Sequence, residues 1–297
     1  MNVIQCEKLS KKFGRLHALQ DITCTINGEK IIGVIGRNGA GKSTLLTIIA
    51  GFLKPTNGYC QVFNENPFNN IQAAANSILI DDQLSFSDYL SLEEILKMGA
   101  DFYPNWQNEL AYRLLHYANI DLSVKHQQLS KGQMATFNLV YGLVSRCALT
   151  ILDEPMNGMD EAIRTDFYRA ILKEYIAFPR TILIASHHLQ EMESILEEIL
   201  LIDEGTVVTH ASVDELKEQL IALSGPSDRM KSLLSETDVY AQQIVGGVST
   251  AIVDASKLFI TEEMLRTKGI TKSALTASEI CRYLTNHKGS DIDAIFD

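Results

Sequence analysis

The sequence predicts an α/β protein whose core is a largely parallel β-sheet. The apolar run IIGVIG at 31–36 leads into a glycine-rich loop and then into a segment with helical spacing. Two further apolar runs, ALTILD at 148–153 and TILIAS at 181–186, are each followed by a helical segment. Strands that alternate with helices in this way pack side by side with right-handed crossovers.

The first part of the chain adds two predicted strands and one helix to this pattern. Val3–Cys6 and Ile22–Ile26 are apolar enough to form short strands joined by turns. After the glycine-rich loop, KSTLLTIIAGF places apolar side chains at helical spacing, and Gly51 and Pro55 predict the end of that helix.

The remaining elements follow from the spacing of apolar residues. Segments with apolar side chains three to four positions apart predict helices at 90–103, 106–118, 132–146, 164–176 and 187–199. The segment EILLIDEGTVVTH, at 198–210, predicts a β-hairpin.

A short polar segment predicts the boundary between two domains. SGPSD, at 224–228, contains glycine and proline and is typical of a linker. We therefore expect a large domain at 1–223 and a small α/β extension at 224–297. A chain of 297 residues is long enough for this arrangement.

Composition excludes several classes of protein. The net charge of −11 and the pI of about 5.1 argue against nucleic acid as the main partner, because proteins that bind nucleic acid through its phosphates usually have an excess of basic residues, and a local basic patch is the alternative. The 5 cysteines lack CxxC spacing, which disfavours a disulfide framework or a zinc site and indicates a reducing compartment. With no signal peptide and no apolar run of membrane-spanning length, we expect membrane association only through a partner.

The segment GRNGAGKST matches the phosphate-binding pattern GxxxxGK[ST]. Its glycines let backbone N–H groups turn toward phosphate oxygens, and the following helix N-terminus favours anions. Lys42 can reach the β- and γ-phosphates, and the Ser43 hydroxyl can bind Mg²⁺. A plain glycine-rich turn is the alternative. The predicted nucleotide-binding residues here are Gly36, Arg37, Asn38, Gly39, Ala40, Gly41, Lys42, Ser43 and Thr44.

An acidic pair completes the predicted chemistry. Asp153 and Glu154 stand at the C-terminal end of a predicted strand, and that edge of a parallel sheet is where ligands bind. We expect Asp153 to hold Mg²⁺ and Glu154 to polarise the attacking water as a general base. An acidic turn after a core strand is the alternative.

Three more motifs in order indicate a family. LSKGQ at 129–133, NGMD at 157–160 and SHH at 186–188 follow the phosphate loop and the acidic pair in the spacing of an ATP-binding-cassette (ABC) ATPase. The chain resembles this family over about residues 1–215, and its extension resembles those of bacterial stand-alone exporter subunits. The resemblance implies a P-loop NTPase fold of ABC type, with a RecA-like core sheet, a helical subdomain at about 85–145 and a small C-terminal α/β addition.

The resemblance also implies roles for matching residues. Family members form head-to-tail dimers in which the signature of one subunit covers the ATP of the other, and Ser130, Lys131, Gly132 and Gln133 occupy the signature position. Lys131 departs from the usual glycine. Ser130 can also cap a helix, which would aim the helix N-terminus at the γ-phosphate.

Three single residues match other family positions. His187 corresponds to the histidine that contacts the γ-phosphate, and Asp160 to the loop that crosses the dimer interface. Phe13 stands where the family stacks an aromatic ring on adenine. An ordinary turn aspartate and a core phenylalanine are the alternatives for Asp160 and Phe13.

The sequence departs from the family pattern at the glutamine that approaches the metal. Ungapped counting places Asp82 there, whereas a one-residue slip restores Gln83, which is the predicted third metal-side residue beside Ser43 and Asp153. In the family this segment also begins the surface that receives the membrane subunit. Aromatic residues for that surface, or alternatively for core packing, are Phe86, Tyr89, Phe102, Tyr103 and Trp106.

The resemblance predicts the ATP-hydrolysing subunit of a transporter. Two ATP–Mg²⁺ would close a homo- or heterodimer, which would drive separate transmembrane subunits, in the direction of export. The protein would then be cytoplasmic and peripheral on the inner face of the cell membrane. A soluble ABC ATPase, for example in cluster assembly, is the main alternative. A P-loop kinase would explain the phosphate loop but not the three further motifs.

Overall fold

The computed structural model of the chain describes residues 2–234, 239–258 and 262–285. Contacts divide the chain into two compact units between His210 and Ala211. Within the described ranges, no helix combines the length and apolar character needed to cross a membrane. Residues 235–238, 259–261 and 286–297 of the predicted extension lie outside the described residues.

The first unit holds most of the strands and helices, and β9 ends just past the division. Its elements are β1 (Asn2–Phe13), β2 (Leu16–Asn27), β3 (Ile31–Ile35), α1 (Lys42–Ile49), β4 (Asn57–Val62), α2 (Ile71–Asn76), β5 (Ser77–Ile80), α3 (Leu92–Phe102), α4 (Asn108–Tyr117), α5 (Lys131–Val144), β6 (Leu149–Asp153), α6 (Glu161–Ala177), β7 (Thr181–Ala185), α7 (Leu189–Met192), β8 (Glu198–Asp203) and β9 (Thr206–Ser212). Short 3₁₀ helices lie at His126–Gln128 and Glu193–Ile195.

The predicted parallel sheet is confirmed. Six strands lie in the order β5-β6-β7-β3-β8-β9, and the pairs β5–β6, β6–β7, β7–β3 and β3–β8 are parallel. Every residue of β3 and β7 is buried, as expected for central strands covered on both faces. The glycine-rich loop, the acidic pair and the SHH segment follow β3, β6 and β7, so all three leave the same edge of the sheet.

The N-terminal strands are longer than the sequence predicts. β1 pairs with both β2 and β4 in a second, antiparallel sheet of order β2-β1-β4. These cross-strand bonds extend β1 to Phe13 through a polar stretch that has no strand pattern of its own. Apolar residues of this sheet share a buried core with α1, including Ile4, Leu9, Leu45, Leu46 and Ile48.

Three helices, α3 to α5, form the region that the family resemblance implies as a helical subdomain. Helix α3 begins with a capping box in which Ser91 and Glu94 exchange hydrogen bonds. Rings of Phe86, Tyr103, Trp106 and Tyr141 pack edge-on or stacked against one another. Core packing therefore accounts for three of the five aromatic residues singled out above, whereas Tyr89 and Phe102 are exposed.

Two sequence expectations differ from the structure. The helix expected at 187–199 is reduced to α7 and a 3₁₀ turn, because β8 begins at Glu198 and pairs with β3 from that residue. SGPSD is not a linker: Ser224, Gly225 and Pro226 end strand β10 (Leu220–Pro226) and pair with a neighbouring strand. The boundary expected at 223/224 therefore falls inside this strand.

The second unit is a small α/β structure. It contains α8 (Val213–Gln219), β10, α9 (Ser227–Leu234), β11 (Val239–Val245), β12 (Val248–Asp254), α10 (Glu262–Thr267), β13 (Thr271–Ala274) and α11 (Ala277–Leu284). Its four strands lie in the order β11-β12-β10-β13, and β10 pairs antiparallel with β12 and β13. A separate buried core includes Leu223, Met230, Ala251, Val253 and Ile270.

Candidate functional site

The loop between β3 and α1 is shaped for close approach of its backbone to a ligand. Gly39 and Gly41 have positive φ values of 83° and 105°, a conformation that glycine adopts without strain. A Cβ atom on Gly36 would lie 2.2 Å from the carbonyl oxygen of Ile202, so only glycine fits there. The loop therefore holds a compact turn whose N–H groups are available to phosphate oxygens.

The side chain of Lys42 is hydrogen-bonded to the backbone of this loop. Its side chain is buried, and its Nζ donates hydrogen bonds to the carbonyl oxygens of Gly36, at 2.8 Å, and of Arg37, at 3.2 Å. The ammonium group is thus held over the loop at the N-terminus of α1. That helix has no acidic residue in its own first turn, so no side chain of that turn offsets the positive end of the helix dipole.

Asp153 ends strand β6 beside the phosphate loop. Its Oδ1 atom is buried and has no hydrogen-bond partner among the residues that the structure describes. Burial raises the pKa of Asp153, and the adjacent Ser43 hydroxyl partly offsets this rise. A buried carboxylate oxygen without a partner, next to a hydroxyl, is the donor set that a hard cation such as Mg²⁺ prefers, with nucleotide phosphates and water as the other ligands. These residues therefore fit a magnesium ion.

Glu154 is held by two side chains from the end of the neighbouring strand. Its Oε2 accepts a hydrogen bond from Ser186 Oγ at 3.3 Å and lies 2.9 Å from His187 Nδ1. Its backbone N–H donates to the carbonyl oxygen of Ala185 at 2.8 Å. Glu154 also has a positive φ of 48°, which is uncommon for a side chain of this size. The strand order places Glu154 and His187 together although 33 positions separate them.

A cavity of about 370 Å³ joins these groups. Its wall includes the phosphate loop, the acidic pair and Phe13. The Phe13 ring is half-exposed at the end of β1, and the Nζ of Lys11 lies 5.1 Å from its centroid. An open aromatic face at the mouth of a phosphate-binding cavity can stack on a planar base.

The signature segment forms a capped helix start. The Ser130 hydroxyl accepts a hydrogen bond from the Gln133 N–H at 3.3 Å, and Gln133 Oε1 accepts one from the Ser130 N–H at 3.1 Å. A Cβ on Gly132 would lie 2.6 Å from the carbonyl oxygen of Gly158, so the helix packs tightly on the NGMD loop. Lys131 also lies against Gly158.

The structure does not place every predicted residue in one cavity. Of the described residues, those at 130–133 are not among the lining of the phosphate-loop cavity. Asp160 caps α6 by accepting a hydrogen bond from the Ile163 N–H at 3.0 Å. The Asp160 carboxylate therefore has a local structural role in the single chain.

The loop after β5 brings further carboxylates to the same sheet edge. Asp82 lines a small cavity of about 70 Å³ together with Lys131 and Glu154. Gln83 is not among the described residues that line it, and its N–H donates to Asp81 Oδ1 at 3.1 Å. Asp82, which the ungapped count selects, therefore shares a cavity wall with Glu154, whereas Gln83 is not among the described residues of that wall.

Sequence reasoning missed two groups of residues at the site. The charge of Asp81 contributes to the raised pKa of Asp153, after burial and Glu154. Arg164 binds both carboxylate oxygens of Glu191 at 2.8 Å and donates to the Met159 carbonyl oxygen at 3.0 Å, which ties the NGMD loop to the helix after His187. Two aspartates directly after the apolar strand β5 were a usable signal for Asp81, whereas no sequence pattern marks Arg164.

A larger cavity lies elsewhere in the first unit. Its volume is about 620 Å³, and its wall includes residues that precede β3, β6 and β7, such as Glu29, Arg146 and Phe178. These positions are at the opposite edge of the parallel sheet. Arg146 is bound there by Glu174, with 2.6 Å between Nε and Oε1. The chemistry of the motifs, rather than cavity size, therefore locates the functional site.

Comparison with known sequences gives a consistent set of relatives. Residues 19–157 match the family model described as "ABC transporter". The chain is 28% identical to the ABC transporter ATP-binding protein YtrB of Bacillus subtilis, over 74% of this chain and 76% of YtrB. It is 27% identical to the Nod factor export ATP-binding protein I of Sinorhizobium fredii, over 81% of this chain and 73% of that protein. It is 29% identical to the aliphatic sulfonates import ATP-binding protein SsuB 3 of Pseudomonas syringae pv. syringae, over 70% of this chain and 75% of that protein.

Solved structures show the same fold. The ATP-binding subunit of an ABC transporter superimposes with a TM-score of 0.65 at 23% identity, over 73% of this chain and 92% of that chain. A dimeric bacterial ABC transporter cassette superimposes with a TM-score of 0.62 at 21% identity, over 70% of this chain and 98% of that chain. At these identities the likeness concerns the fold.

Proposed function

We propose that the chain is an ATP-binding subunit of the ABC transporter family, that two copies of it close around two ATP–Mg²⁺ and that hydrolysis drives separate membrane subunits. Its relatives are ATPases coupled to transport, and the chain is an ATPase of this type. The arrangement of Glu154 beside the phosphate-loop cavity is the observation that carries the proposal.

Glu154 is placed to act as the general base. Its carboxylate lines the cavity that contains Lys42, and Ser186 and His187 hold its Oε2 atom. A carboxylate fixed in this way can orient a water molecule for in-line attack on the γ-phosphate and accept its proton. His187, which is half-exposed and lies next to Glu154, is proposed to contact the γ-phosphate.

The phosphate loop and the metal-side residues bind the rest of the nucleotide. Lys42 and the loop N–H groups hold the β- and γ-phosphates, and Phe13 stacks on adenine. Asp153 and Ser43 hold Mg²⁺, and Asp82 or Gln83 approaches it from the loop after β5. The ion supplies charge stabilisation to the transferring phosphoryl group when it is bound.

The position of the signature segment supports dimerisation. Ser130 to Gln133 form the capped N-terminus of α5, a 14-residue helix, but none of these described residues lines the phosphate-loop cavity of the same chain. A second copy can place this N-terminus on the γ-phosphate, where its N–H groups and dipole stabilise negative charge. Asp160, the last residue of the NGMD segment, would then lie at the dimer interface.

Exposed apolar side chains in the helical region support a membrane-subunit partner. Tyr89 and Phe102 expose 89% and 68% of their surface, and Met98 is also exposed. Met98 and Phe102 stand four positions apart on α3 and so share one face of that helix, and adjacent exposed apolar side chains of this kind favour an interaction surface. Binding there would place the protein on the inner face of the cell membrane. For direction we propose export, since the match to the Nod factor export protein extends over 81% of the chain and the match to the sulfonate import protein over 70%.

The dimer is tested with the full chain carrying Glu154→Gln. With ATP and Mg²⁺ we expect this variant to elute as a dimer and to retain nucleotide, whereas with ADP it should be monomeric. Adding Ser130→Arg should prevent the dimer but leave ATP binding intact, and Ser123→Arg, on an exposed loop, is the matched control. A Glu154→Gln protein that binds ATP and stays monomeric would contradict the proposal.

The membrane partner is tested by affinity purification of the tagged chain from solubilised cells. We expect a multi-span membrane protein to co-purify. Recovery of an active ATPase without any membrane protein would instead favour the soluble ABC ATPase.

A further inference from the structure

A buried histidine lies directly before the signature segment. His126 is 2% exposed, and its Nε2 atom lies 2.8 Å from Oδ1 of Asn138, which is itself 4% exposed on α5. Asn138 Nδ2 in turn donates to the carbonyl oxygen of Leu84 at 3.3 Å. Because the Asn138 amide donates to a carbonyl through Nδ2, its Oδ1 must accept, and the His126 proton therefore lies on Nε2.

The surroundings of the His126 ring keep it neutral. The rings of Phe86 and Phe137 pack against it with centroid distances of 5.1 and 5.6 Å. Its Nδ1 atom is buried and meets no hydrogen-bond partner within the described part of the chain. A second proton there would have no acceptor, and burial lowers the pKa of His126 accordingly. The hydrogen bond between His126 and Asn138 therefore has one defined direction, with His126 Nε2–H as the donor and Asn138 Oδ1 as the acceptor.

The hydrogen bond to Leu84 fixes the loop that follows β5. The Leu84 N–H donates back to the Asp81 carbonyl oxygen at 3.4 Å, and the Gln83 N–H donates to Asp81 Oδ1 at 3.1 Å. Holding Leu84 therefore sets the position of the turn from Asp81 to Gln83. Asp81 and Asp82 line the small cavity shared with Lys131 and Glu154.

We propose that His126 and Asn138 are positioning residues that tie the loop at 81–84 to helix α5, so that displacement of the signature end of α5 moves the metal-side loop with it. The proposal rests on the proposed function, because the connection between this loop and α5 affects ATP hydrolysis only if the chain hydrolyses ATP at the proposed site. His126 begins the 3₁₀ turn that lies just before Ser130, and Asn138 lies on α5, the helix that Ser130 caps. Neither residue is among the described residues that line the phosphate-loop cavity, whereas Asn138 does line the small cavity that Asp81, Asp82 and Glu154 share.

The test separates positioning from simple stabilisation. Asn138→Leu removes the partner of the His126 Nε2–H and of the Leu84 carbonyl oxygen, and His126→Leu removes the partner of Asn138 Oδ1, so each single variant should have a lower melting temperature. The double variant His126→Leu/Asn138→Leu removes both partners and should recover much of that loss, yet it still lacks the bond to Leu84. His126→Gln keeps an N–H donor near the Nε2 position and should resemble the wild type. His116→Leu, exposed on α4, is the matched control.

Two readouts are measured on the full chain. In amide hydrogen exchange without nucleotide, the double variant should exchange about fivefold faster at 81–86, as expected for one lost hydrogen bond, with 92–102 unchanged. In steady-state assays, its kcat should fall about fivefold with an unchanged KM for ATP. Wild-type exchange at 81–86 and wild-type kcat in the double variant would overturn the proposal. If the wild type hydrolysed no ATP, the proposed function would fail, while the exchange measurement would still decide whether the tie exists.

Discussion

The Nδ1 atom of His187 lies 2.9 Å from the Oε2 atom of Glu154, and this contact joins the ends of two neighbouring parallel strands. Glu154 follows β6 and His187 follows β7, so a change at either strand end alters the same pair. In the proposed mechanism, the pair orients the attacking water through Glu154 and reaches the γ-phosphate through His187.

This relationship predicts a non-additive effect on turnover. Glu154→Gln should lower kcat by about 10²–10⁴-fold, the range for loss of a general base. His187→Ala should lower kcat by about 10²-fold, and the double variant should be no slower than Glu154→Gln alone because the two residues act as one unit. His188→Ala is the neighbouring control and should change kcat little. Strict multiplication of the two single effects, measured by single-turnover kinetics, would show that they act independently.

Lys42→Ala should weaken ATP binding by about 10–100-fold, as expected for loss of charge-assisted hydrogen bonds to phosphate. The variant also loses the hydrogen bonds from Nζ to the carbonyl oxygens of Gly36 and Arg37 within the loop. Binding of a fluorescent ATP analogue measures the effect. Lys54→Ala, on an exposed position, is the control. Equal affinity in both variants would exclude Lys42 from the nucleotide site.

The raised pKa of Asp153 predicts that the free energy of unfolding depends on pH. Burial raises its pKa above the unfolded value, so the folded state binds this proton more strongly than the unfolded state. Ionised Asp153 therefore destabilises the nucleotide-free protein, and this cost appears as pH rises from the unfolded pKa and is complete above the folded one. Asp153→Asn should raise the melting temperature by a few degrees at pH 7 and have little effect near pH 4.

Asp153→Asn should also lose Mg²⁺-dependent hydrolysis, because the variant lacks the carboxylate proposed to bind the metal. Its gain in stability would show that the wild-type protein keeps this buried carboxylate for metal binding at the expense of stability. Calorimetry across pH measures the first effect and a magnesium titration of activity the second. Asp101→Asn, at an exposed position on α3, provides the control. A lower melting temperature at pH 7 for Asp153→Asn would contradict the assignment of an uncompensated buried charge.

The second unit should be dispensable for nucleotide binding. It has its own antiparallel sheet and its own buried core, and the phosphate-loop cavity is lined only by described residues of the first unit. A chain that ends at Ser212 should fold and bind ATP with unchanged affinity. Circular dichroism and ATP titration measure both. A truncated chain that folds but binds ATP much more weakly would assign the extension a role at the site.

The parallel sheet and the site motifs were predictable because their signals are local. The phosphate loop needs glycines and a lysine at adjacent positions, and the capping box of Ser130 and Gln133 spans three residues. The central strands are continuous apolar runs. The prediction was wrong at 224–228, where pairing with β12 outweighs the turn-forming composition of SGPSD, and at 187–199, where β8 takes the end of the expected helix.

The sequence by itself determined the central strands of the parallel sheet, the phosphate loop and the acidic pair, because each depends on neighbouring residues in one strand–loop unit. Only the tertiary structure decided which distant residues meet: His187 with Glu154, Asp81 beside Asp153, and His126 through Asn138 with Leu84. The order of β5, β6 and β7 in the sheet and the packing of α5 fix these contacts. Strand order and packing arise from the whole buried core, so no short segment of sequence encodes them.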